Sequence, residues 1–492
     1  MILDLTQDFE GKSRFSKNSP VSGELLAEYI NFSENDVAEA VHNAQSMRAM
    51  WRGLSFYDRK ILLLQWAKYL ANNLEELANL VVEETGKPVA DATLEVSLAI
   101  EHISWAAKNA KEYLSTQSRP SGLLLFNMES KVQFMPLGVV GVIGPWNYPV
   151  FTPVGSIAYA LAAGNTVVFK PSEFTPGVGL WLEKSFEVAT STKNVLITIT
   201  GLAETGKYLT ESAVNKIAFT GSSRTAKKVA ASCAEKMIPV ILECGGKDPV
   251  IVAEDANVAL AAEYALWSAM ANAGQSCIGA ERIYVHEQVA DKFIEKLKSF
   301  ALEVKPGVSY GPATMPSQLK VIEKHLKAAE AEGVKFLVGG PNSIQEPYVL
   351  PTIMLEVPAT SVAMTEETFG PTIAINRVKS VQHAVELANE SNYGLAAAVF
   401  SKKYAQEIAD QLECGMVSIN SVFSFAGVPS IPFGGVKESG YGRIHGPEGL
   451  LEFVSAKSII SPRFQGPLKL TTFKRKNIAE RITTLIIKKL HG

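Results

Sequence analysis

The chain has 492 residues, of which 47% are apolar and 20% charged, so it is not a disordered protein and can bury a large core in about three domains. Its formal net charge of −3 argues against a nucleic-acid binder that works through bulk charge. The four cysteines are too few and too scattered for a disulfide scaffold or a zinc knuckle. Free thiols of this kind fit a reducing compartment, and we expect a cytoplasmic protein without nucleic-acid partners or a bound metal.

The N-terminal third is predicted to be helical. Ser33 resembles a helix N-cap, followed by apolar residues from Val37 to Met47 at helical spacing. The same pattern continues from Leu62 to Val81 and stops near Pro88. Residues 1–20 carry charges throughout and lack an apolar segment, which predicts no secretory signal.

The segment from Val132 to Phe169 contains no charged residue and at first resembles a membrane span. Its prolines and glycines interrupt any helix long enough to cross a bilayer. It is more typical of elements buried in the middle of a parallel sheet. We predict a strand at Val139–Ile143, a helix from about Thr152 to Ala163 and a strand at Thr166–Phe169.

The middle of the chain alternates β-branched runs with helical patterns, which predicts an α/β fold with a parallel, doubly wound sheet. We place a division between two such units near Gly245. The further predicted strands are Lys216–Phe219, Val240–Leu242, Val250–Val252, Arg282–Val285, Ile373–Ile375 and Val417–Ile419, and the further helices are Val258–Met270 and Val289–Leu302.

Polar or glycine-rich motifs follow four of these strands, where ligands bind in open α/β sheets. Phe219-Thr220-Gly221-Ser222 ends a strand and opens a helix, an arrangement that favours a pyrophosphate. Lys170 and Glu173 follow another strand. They either bind ribose hydroxyls, which favours NAD over NADP, or form an ordinary strand-to-helix loop, and the residues alone leave both interpretations open.

Cys277 lies in a stretch of small residues that leaves room around its sulfur. It is either an inert buried thiol or a nucleophile, and a nucleophile needs a proton acceptor and oxyanion donors. Glu243 and Asn147, which both follow strands, are candidates for these two roles.

Together these motifs resemble the NAD(P)-dependent aldehyde dehydrogenase superfamily, from about Pro20 to Pro462, and in general appearance the benzaldehyde and carotenoid-aldehyde (diapolycopene-dialdehyde) branch. The motifs, in the order of the family, are Pro145–Pro149, Lys170–Glu173, Phe219–Ser222, Leu242–Lys247, Gly274–Cys277, Glu366–Pro371 and Pro432–Gly440.

The resemblance implies oxidation of an aldehyde to a carboxylic acid with NAD⁺, or alternatively NADP⁺, and water. Cys277 would be the nucleophile, Asn147 an oxyanion donor and Glu243 the general base. The implied cofactor-binding residues are Pro145, Trp146, Lys170, Ser172, Glu173, Phe219, Thr220, Gly221, Ser222, Glu367 and Phe369. The implied substrate-pocket residues are Tyr148, Phe151, Ile278, Phe425 and Phe433.

The resemblance also implies an aldehyde dehydrogenase-like architecture. A Rossmann-type cofactor domain would comprise residues 1–120 and 135–244, and a second α/β domain, the catalytic one, residues 245–420. A small strand element of residues 121–134 and 448–462 would join subunits into a homodimer or homotetramer.

The segment 421–433, which would line the substrate tunnel, carries no charge. This predicts an aromatic or long apolar aldehyde, because the distal carboxylate of succinate semialdehyde would need a cation. Succinate-semialdehyde dehydrogenase and a coenzyme A-acylating enzyme remain alternatives, although Glu243 argues against the latter. Gly155 replaces a tunnel aromatic of some members and predicts a wider pocket. Cys244 replaces a leucine and is either packing or an oxidation partner of Cys277.

Residues 463–492 extend beyond the family's usual end and contain eight basic residues and one acidic residue. Ile478, Ile482, Leu485, Ile486 and Leu490 fall on one helical face. The tail is predicted to be a basic amphipathic helix that either lies on an anionic membrane surface or packs on a neighbouring subunit.

Overall fold

The computed structural model describes residues 3, 5, 7–465, 472–474 and 476–492. Met1, Ile2, Asp4 and Thr6, part of the segment without a predicted signal, lie outside the described residues. The first part of the chain is helical, as predicted. Its elements are β1 (Arg14–Asn18), β2 (Leu25–Ile30), α1 (Glu34–Gly53), α2 (Phe56–Asn72), α3 (Leu74–Thr85), α4 (Val89–Leu114), β3 (Gln117–Arg119) and β4 (Met128–Pro136).

Capping boxes at Ser33 and Ser55 start the first two long helices, because each serine accepts a hydrogen bond from an amide that the helix leaves free. The third helix ends at Gly86, which adopts a left-handed conformation with a φ of 76°. The fourth, α4, packs against α2, α3 and the later helix Phe151–Ala162, and it carries Glu95 and His102.

The first large sheet contains five parallel strands in the order β9-β8-β5-β6-β7. Four of its buried strands are those predicted from sequence, within one residue at each end, whereas β7 was not predicted. The elements of this part are β5 (Val139–Ile143), α5 (Phe151–Ala162), β6 (Thr166–Lys170), α6 (Pro176–Thr190), β7 (Leu196–Thr198), α7 (Ala203–Glu211), β8 (Lys216–Thr220), α8 (Ser223–Ala234) and β9 (Val240–Glu243).

The second large sheet has seven strands in the order β12-β15-β16-β11-β10-β18-β19, with β12 antiparallel to its neighbour. The elements of this part of the chain are β10 (Asp248–Val252), α9 (Val258–Met270), β11 (Ala280–His286), α10 (Glu287–Ala301), α11 (Ser317–Ala331), β12 (Lys335–Val338), β13 (Ile344–Gln345), β14 (Tyr348–Val349), β15 (Thr352–Leu355), α12 (Val362–Thr365), β16 (Thr372–Val378), α13 (Val381–Asn389), β17 (Tyr393–Gly394), β18 (Ala396–Phe400), α14 (Ala405–Ala409) and β19 (Met416–Ile419). Of these, β13, β14 and β17 lie outside the seven-stranded sheet. Helix α9 has the predicted bounds.

The chain passes from the first sheet to the second between Glu243 and Asp248 and later returns. The returning elements are β20 (Val436–Lys437), β21 (Gly440–Tyr441), α15 (Gly446–Leu451), β22 (Val454–Pro462) and α16 (Asn477–His491). Strand β21 pairs antiparallel with β9 at the edge of the first sheet. Strands β22, β4 and β3 form a separate antiparallel sheet. Strand β3, residues 117–119, belongs to this sheet although it lies before the segment 121–134 that was expected to join subunits.

Helix α16 confirms the helix predicted in the tail. Ala479 is buried, and Thr483 and Ile486 on the same side are half-buried. Lys469 and Arg475, two of the basic residues counted in the tail, lie outside the described residues. None of the helices in the described part of the chain combines the length and the apolar character that a membrane crossing requires.

Gly440 allows β21 to lie against β9. Its φ is +105°, and a Cβ there would come within 1.9 Å of Leu242 O. We expect Gly440→Ala to cost about 2 kcal/mol or more of stability and to lower the unfolding midpoint, because backbone atoms must move. Gly53→Ala is the control, since its Cβ would meet nothing within 4 Å. Equal midpoints for the two variants in thermal unfolding would contradict this.

Candidate active site

Cys277 lies on a loop between α9 and β11 whose backbone is tightly constrained. Asn272 and Ala273 have left-handed φ angles of 52° and 58°. The Gln275 side chain donates to Asn272 O at 2.8 Å and accepts from Thr314 N at 2.9 Å. Since the loop is held at both of these points, the half-buried Cys277 thiol is presented in a fixed place.

Asn147 reaches this loop from the end of β5. Its side-chain nitrogen donates to Gln275 O at 2.9 Å. An amide nitrogen carries two hydrogens, so one donor remains for a ligand. The structure therefore brings together Asn147 and the Cys277 loop, which are far apart in the sequence.

Two buried residues that the sequence did not indicate hold the turn after Asn147. Lys87 Nζ donates to Asn147 O at 2.7 Å and pairs with Glu95 at 2.7 Å. Glu95 also accepts from the backbone nitrogens of Val150 and Phe151, at 2.8 and 3.2 Å. No local pattern indicates these roles, because Asn147, Val150 and Phe151 lie 55 to 60 positions away in the chain.

Glu243 ends β9 and is 3% exposed. Neither of its carboxylate oxygens has a hydrogen-bond partner among the described residues. Burial raises the pKa of Glu243 well above its usual value, against the opposing charge of Arg443. A Cβ at Gly434 would come within 2.7 Å of Glu243 Oε1, so glycine leaves the space that the carboxyl group occupies.

The thiol and this carboxyl group influence each other. Burial raises the pKa of Cys277 well above its usual value, and the charges of Glu367, Asp248 and Glu243 raise it further. The candidate nucleophile and candidate base therefore share one low-dielectric region, in which negative charge is disfavoured and both groups hold their protons strongly.

Glu367 and Phe369 lie on a loop that packs against the Gly245–Gly246 link between the sheets. Gly246 N donates to Glu367 Oε1 at 3.0 Å. Burial, with the charge of Glu281 as the next cause, raises the pKa of Glu367 to about 8. The Phe369 ring lies edge-on to Trp146, with centroids 5.5 Å apart, so these two expected cofactor residues are neighbours. Pro145, directly before Trp146, is half-buried.

A second unpredicted network fixes that loop. Glu281 accepts hydrogen bonds from Thr368 N at 2.9 Å and Phe369 N at 3.1 Å and pairs with buried Lys247. Phe369 itself has a φ of 52°. The surrounding bonds hold this residue in a conformation that side chains rarely adopt.

The Lys170 and Glu173 motif lies at the end of β6, next to β5. Lys170 Nζ donates to Pro171 O at 2.8 Å and is 3.9 Å from Glu173 Oε2. Burial lowers the pKa of Lys170 to about 8, although Glu173 opposes the shift. Ser172 Oγ lies 3.3 Å from Glu173 Oε2, so the three residues form one polar cluster.

The turn at residues 219–222 has the geometry expected for a phosphate site. Ser222 caps α8, and a Cβ at Gly221 would come within 2.7 Å of the Phe219 ring. Thr220 is paired with Glu243 in the sheet register. The N-terminus of α8, the glycine and the Lys170 cluster, two strands away in the same sheet, fit a dinucleotide such as NAD(P).

The five expected substrate residues pack in the same apolar cluster as Cys277. Tyr148 and Ile278 are half-buried, and Phe151, Phe425 and Phe433 are buried. The wider pocket expected at Gly155 is wrong, because a Cβ there would lie 2.5 Å from His445 Nε2. The imidazole of His445 fills the space that the missing side chain leaves.

Cys244 packs in a different apolar cluster from Cys277, which favours the packing interpretation of this thiol. Burial raises its pKa to about 12, so it stays protonated. Among the residues that the structure describes, no group of three or more His, Cys, Asp or Glu residues is placed to hold a metal ion.

The aldehyde dehydrogenase family model matches residues 7–459. A probable succinate-semialdehyde dehydrogenase [NADP(+)] of Sinorhizobium fredii is 34% identical, covering 91% of this chain and 92% of the relative. A 4,4'-diapolycopene aldehyde oxidase of Methylomonas sp. is 32% identical, covering 91% and 86%. The crystal structure of an NAD-dependent aldehyde dehydrogenase from Sinorhizobium meliloti has a TM-score of 0.89 and 31% identity, covering 93% of each chain.

These matches cover nearly the whole of both sheets and every residue of the candidate site, and they confirm the expected α/β fold and the NAD(P) cofactor class. The chain therefore belongs to the aldehyde dehydrogenase family and is an oxidoreductase that acts on aldehydes.

Proposed function

We propose that Cys277 is the nucleophile, Asn147 an oxyanion donor and Glu243 the general base of the hydrolytic aldehyde dehydrogenase reaction. The observation that carries this proposal is the hydrogen bond from Asn147 to Gln275 O, two residues before the thiol. This bond uses one amide hydrogen of Asn147. The second hydrogen is left for the oxyanion that would form at Cys277.

In the proposed reaction the Cys277 thiol gives up its proton to solvent as its sulfur adds to the aldehyde carbon. The oxyanion of the resulting thiohemiacetal accepts hydrogen bonds from Asn147 and the Cys277 backbone nitrogen. When bound, NAD(P)⁺ would supply the two-electron oxidation that converts the thiohemiacetal to the thioester. Glu243 then takes a proton from the water that attacks the thioester, which releases the acid and restores the thiol. Burial raises the pKa of this carboxyl group, which makes its carboxylate a stronger base toward the attacking water.

Cys277→Ser should abolish NADH formation, and Glu243→Gln should give one burst of NADH per site and then stall, because its thioester is not hydrolysed. In the wild type, turnover limited by hydrolysis should increase with pH, since only deprotonated Glu243 accepts a proton. Stopped-flow absorbance of NADH measures both effects.

Cys414→Ser is the matched control for the first variant, since Cys414 is half-buried and its sulfur only donates to Met416 O at 3.2 Å. Linear NADH formation at the wild-type rate by Glu243→Gln would contradict the role of Glu243.

For the cofactor, we propose that Lys170, Ser172 and Glu173 bind the adenosine ribose and that Ser222 binds the pyrophosphate, with Phe219, Thr220 and Gly221 shaping the turn. Glu367 would bind the second ribose, between Pro145-Trp146 and Phe369. Glu173 favours NAD over NADP, because a carboxylate disfavours a 2′-phosphate. The two large sheets support a further proposal: residues 1–120 and 135–244 form the cofactor domain, and residues 245–420 form the catalytic domain.

The substrate we propose is an aromatic or long apolar aldehyde, bound among Tyr148, Phe151, Ile278, Phe425 and Phe433. Two nearby cations support this choice, because Lys87 is paired with Glu95, and Arg443 donates to two backbone oxygens while its charge acts on Glu243. A distal carboxylate would have to compete with these partners. Succinate semialdehyde is the second candidate, favoured by the Sinorhizobium fredii relative.

An aldehyde panel with both nicotinamides and with or without coenzyme A distinguishes these candidates. We expect kcat/KM for benzaldehyde or a long alkanal to exceed that for succinate semialdehyde by at least about tenfold, because an unpaired buried carboxylate is costly. NAD⁺ should give the higher rates, and coenzyme A should have no effect. A preference for succinate semialdehyde would overturn the substrate proposal.

We also propose that the chain forms a homodimer or homotetramer through strands β3, β4 and β22. Nearly all of β22 is exposed, and it pairs with β4 along one edge only in the described residues. An open edge of this length invites pairing with a second copy.

We also propose a cellular location: the enzyme works in the cytoplasm, and its helix α16 lies on an anionic membrane surface. Ile478 is 62% exposed and Leu485 70%, on one face with Ile482. Arg481 and Lys488 flank this face. Exposed apolar residues bordered by basic ones match an interface with anionic headgroups, where apolar aldehydes dissolve.

Leu485→Glu should reduce cosedimentation with phosphatidylglycerol-containing vesicles several-fold, because it places a charge in the apolar face. The matched control is Thr484→Glu, which adds the same charge at the neighbouring exposed position on the polar side. Binding should also weaken with salt. If both variants pellet like the wild type, α16 is not a membrane contact.

A further inference from the structure

Two histidines of unrelated chain segments meet inside the apolar cluster that surrounds Cys277. His102 lies on α4 and His445 directly precedes α15, and their ring centroids are 3.9 Å apart. Both side chains are 0% exposed. His445 has a φ of 63°, a strained backbone conformation for a residue with a side chain.

His102 has a structural task, which its Nε2 performs. Its Nε2 lies 3.2 Å from Ala426 O, and because a carbonyl oxygen only accepts, neutral His102 donates from Nε2. Its Nδ1 lies 3.5 Å from the Tyr159 hydroxyl, which donates to Pro429 O at 3.0 Å. His102 and Tyr159 therefore hold the 421–433 segment in place.

His445 is different, because neither of its ring nitrogens has a hydrogen-bond partner among the described residues. Its neighbours are aromatic: the rings of Phe151 and Phe433 lie 5.5 Å from it and that of Tyr159 5.9 Å. A neutral imidazole offers one donor and one acceptor, and leaving both unpaired in a buried place is unfavourable. Its polar partner therefore has to come from outside the protein's own side chains.

The position of His445 shows where such a partner would be. Its Nε2 occupies the space of a side chain at Gly155, and Phe151 and Phe433, which flank it, are two of the residues assigned to the substrate pocket. We propose that His445, admitted by Gly155, is a hydrogen-bonding subsite for an uncharged hydroxyl, ether or carbonyl group at the distal end of the aldehyde. This rests on the proposed function and specifies its substrate class.

The charge state of His445 decides between neutral and anionic partners. Burial, and next the neighbouring His102, lower the pKa of His445 well below its usual value. His102 is likewise kept neutral, because burial lowers its pKa to about 4. A distal carboxylate would meet two neutral imidazoles and aromatic rings, whereas a phenol or alcohol finds both a donor and an acceptor. The subsite therefore selects polar but uncharged aldehydes.

The test compares matched pairs of aldehydes: 4-hydroxybenzaldehyde with 4-methylbenzaldehyde, and 4-(hydroxymethyl)benzaldehyde with 4-ethylbenzaldehyde. In the wild type, at least one hydroxylated member should have the higher kcat/KM. His445→Leu should reduce the ratio of hydroxylated to apolar substrate by about tenfold, the effect of one neutral hydrogen bond. His445→Asn, which keeps a donor and an acceptor, should retain part of the preference.

Gly155→Ala supplies an independent variant, since its Cβ would displace the imidazole without removing it. It should lower the same ratio. His383→Leu is the matched control, because His383 is exposed on α13, and its ratios should equal those of the wild type.

Two results would overturn the subsite, and they are distinguishable. If the wild type oxidises the aromatic aldehydes and neither the His445 nor the Gly155 variants change the ratio, the subsite is wrong and the proposed function stands. If the wild type oxidises succinate semialdehyde but none of the aromatic aldehydes, the proposed substrate class is wrong and the subsite falls with it.

Discussion

One hydrogen bond, from the Asn147 side chain to Gln275 O, connects the two loops on which the active site depends. Asn147 follows a strand of the first sheet, and Gln275 precedes a strand of the second, so neither sheet holds a complete site. The bond has its geometry because buried Lys87 binds Asn147 O from the other side. Lys87 is in turn neutralised by Glu95, without which a buried charge would stand unpaired.

A second constraint is the accumulation of carboxyl groups in the buried region around Cys277. Glu243 and Glu367 both have raised pKa values, mainly through burial, and their charges raise the pKa of the thiol as well. In such a region each ionisation opposes the next, because the interior screens charge poorly. Proton positions in this site therefore respond strongly to any charge that a ligand brings.

At the proposed substrate end of the site, the packing of side chains is more important than charge. Phe151, Phe425 and Phe433 form an apolar wall, which His102 and Tyr159 hold through carbonyl oxygens of the 421–433 segment. Gly155 and His445 are complementary, because the missing side chain of one makes room for the ring of the other. The wall is thus apolar with one polar position.

The sequence by itself determined the strands β5, β6 and β8 and the helix α9, and it indicated Asn147, Glu243 and Cys277 as candidates, since periodicity and motif order are local properties. Only the tertiary structure decided what surrounds them. Lys87 and Glu281 bind partners distant in sequence, and His445 packs against rings of distant segments, so no local pattern encodes these contacts. The prediction of a wider pocket at Gly155 was wrong for the same reason. The sequence shows only that position 155 has no side chain, and packing decides which neighbouring residue fills the space.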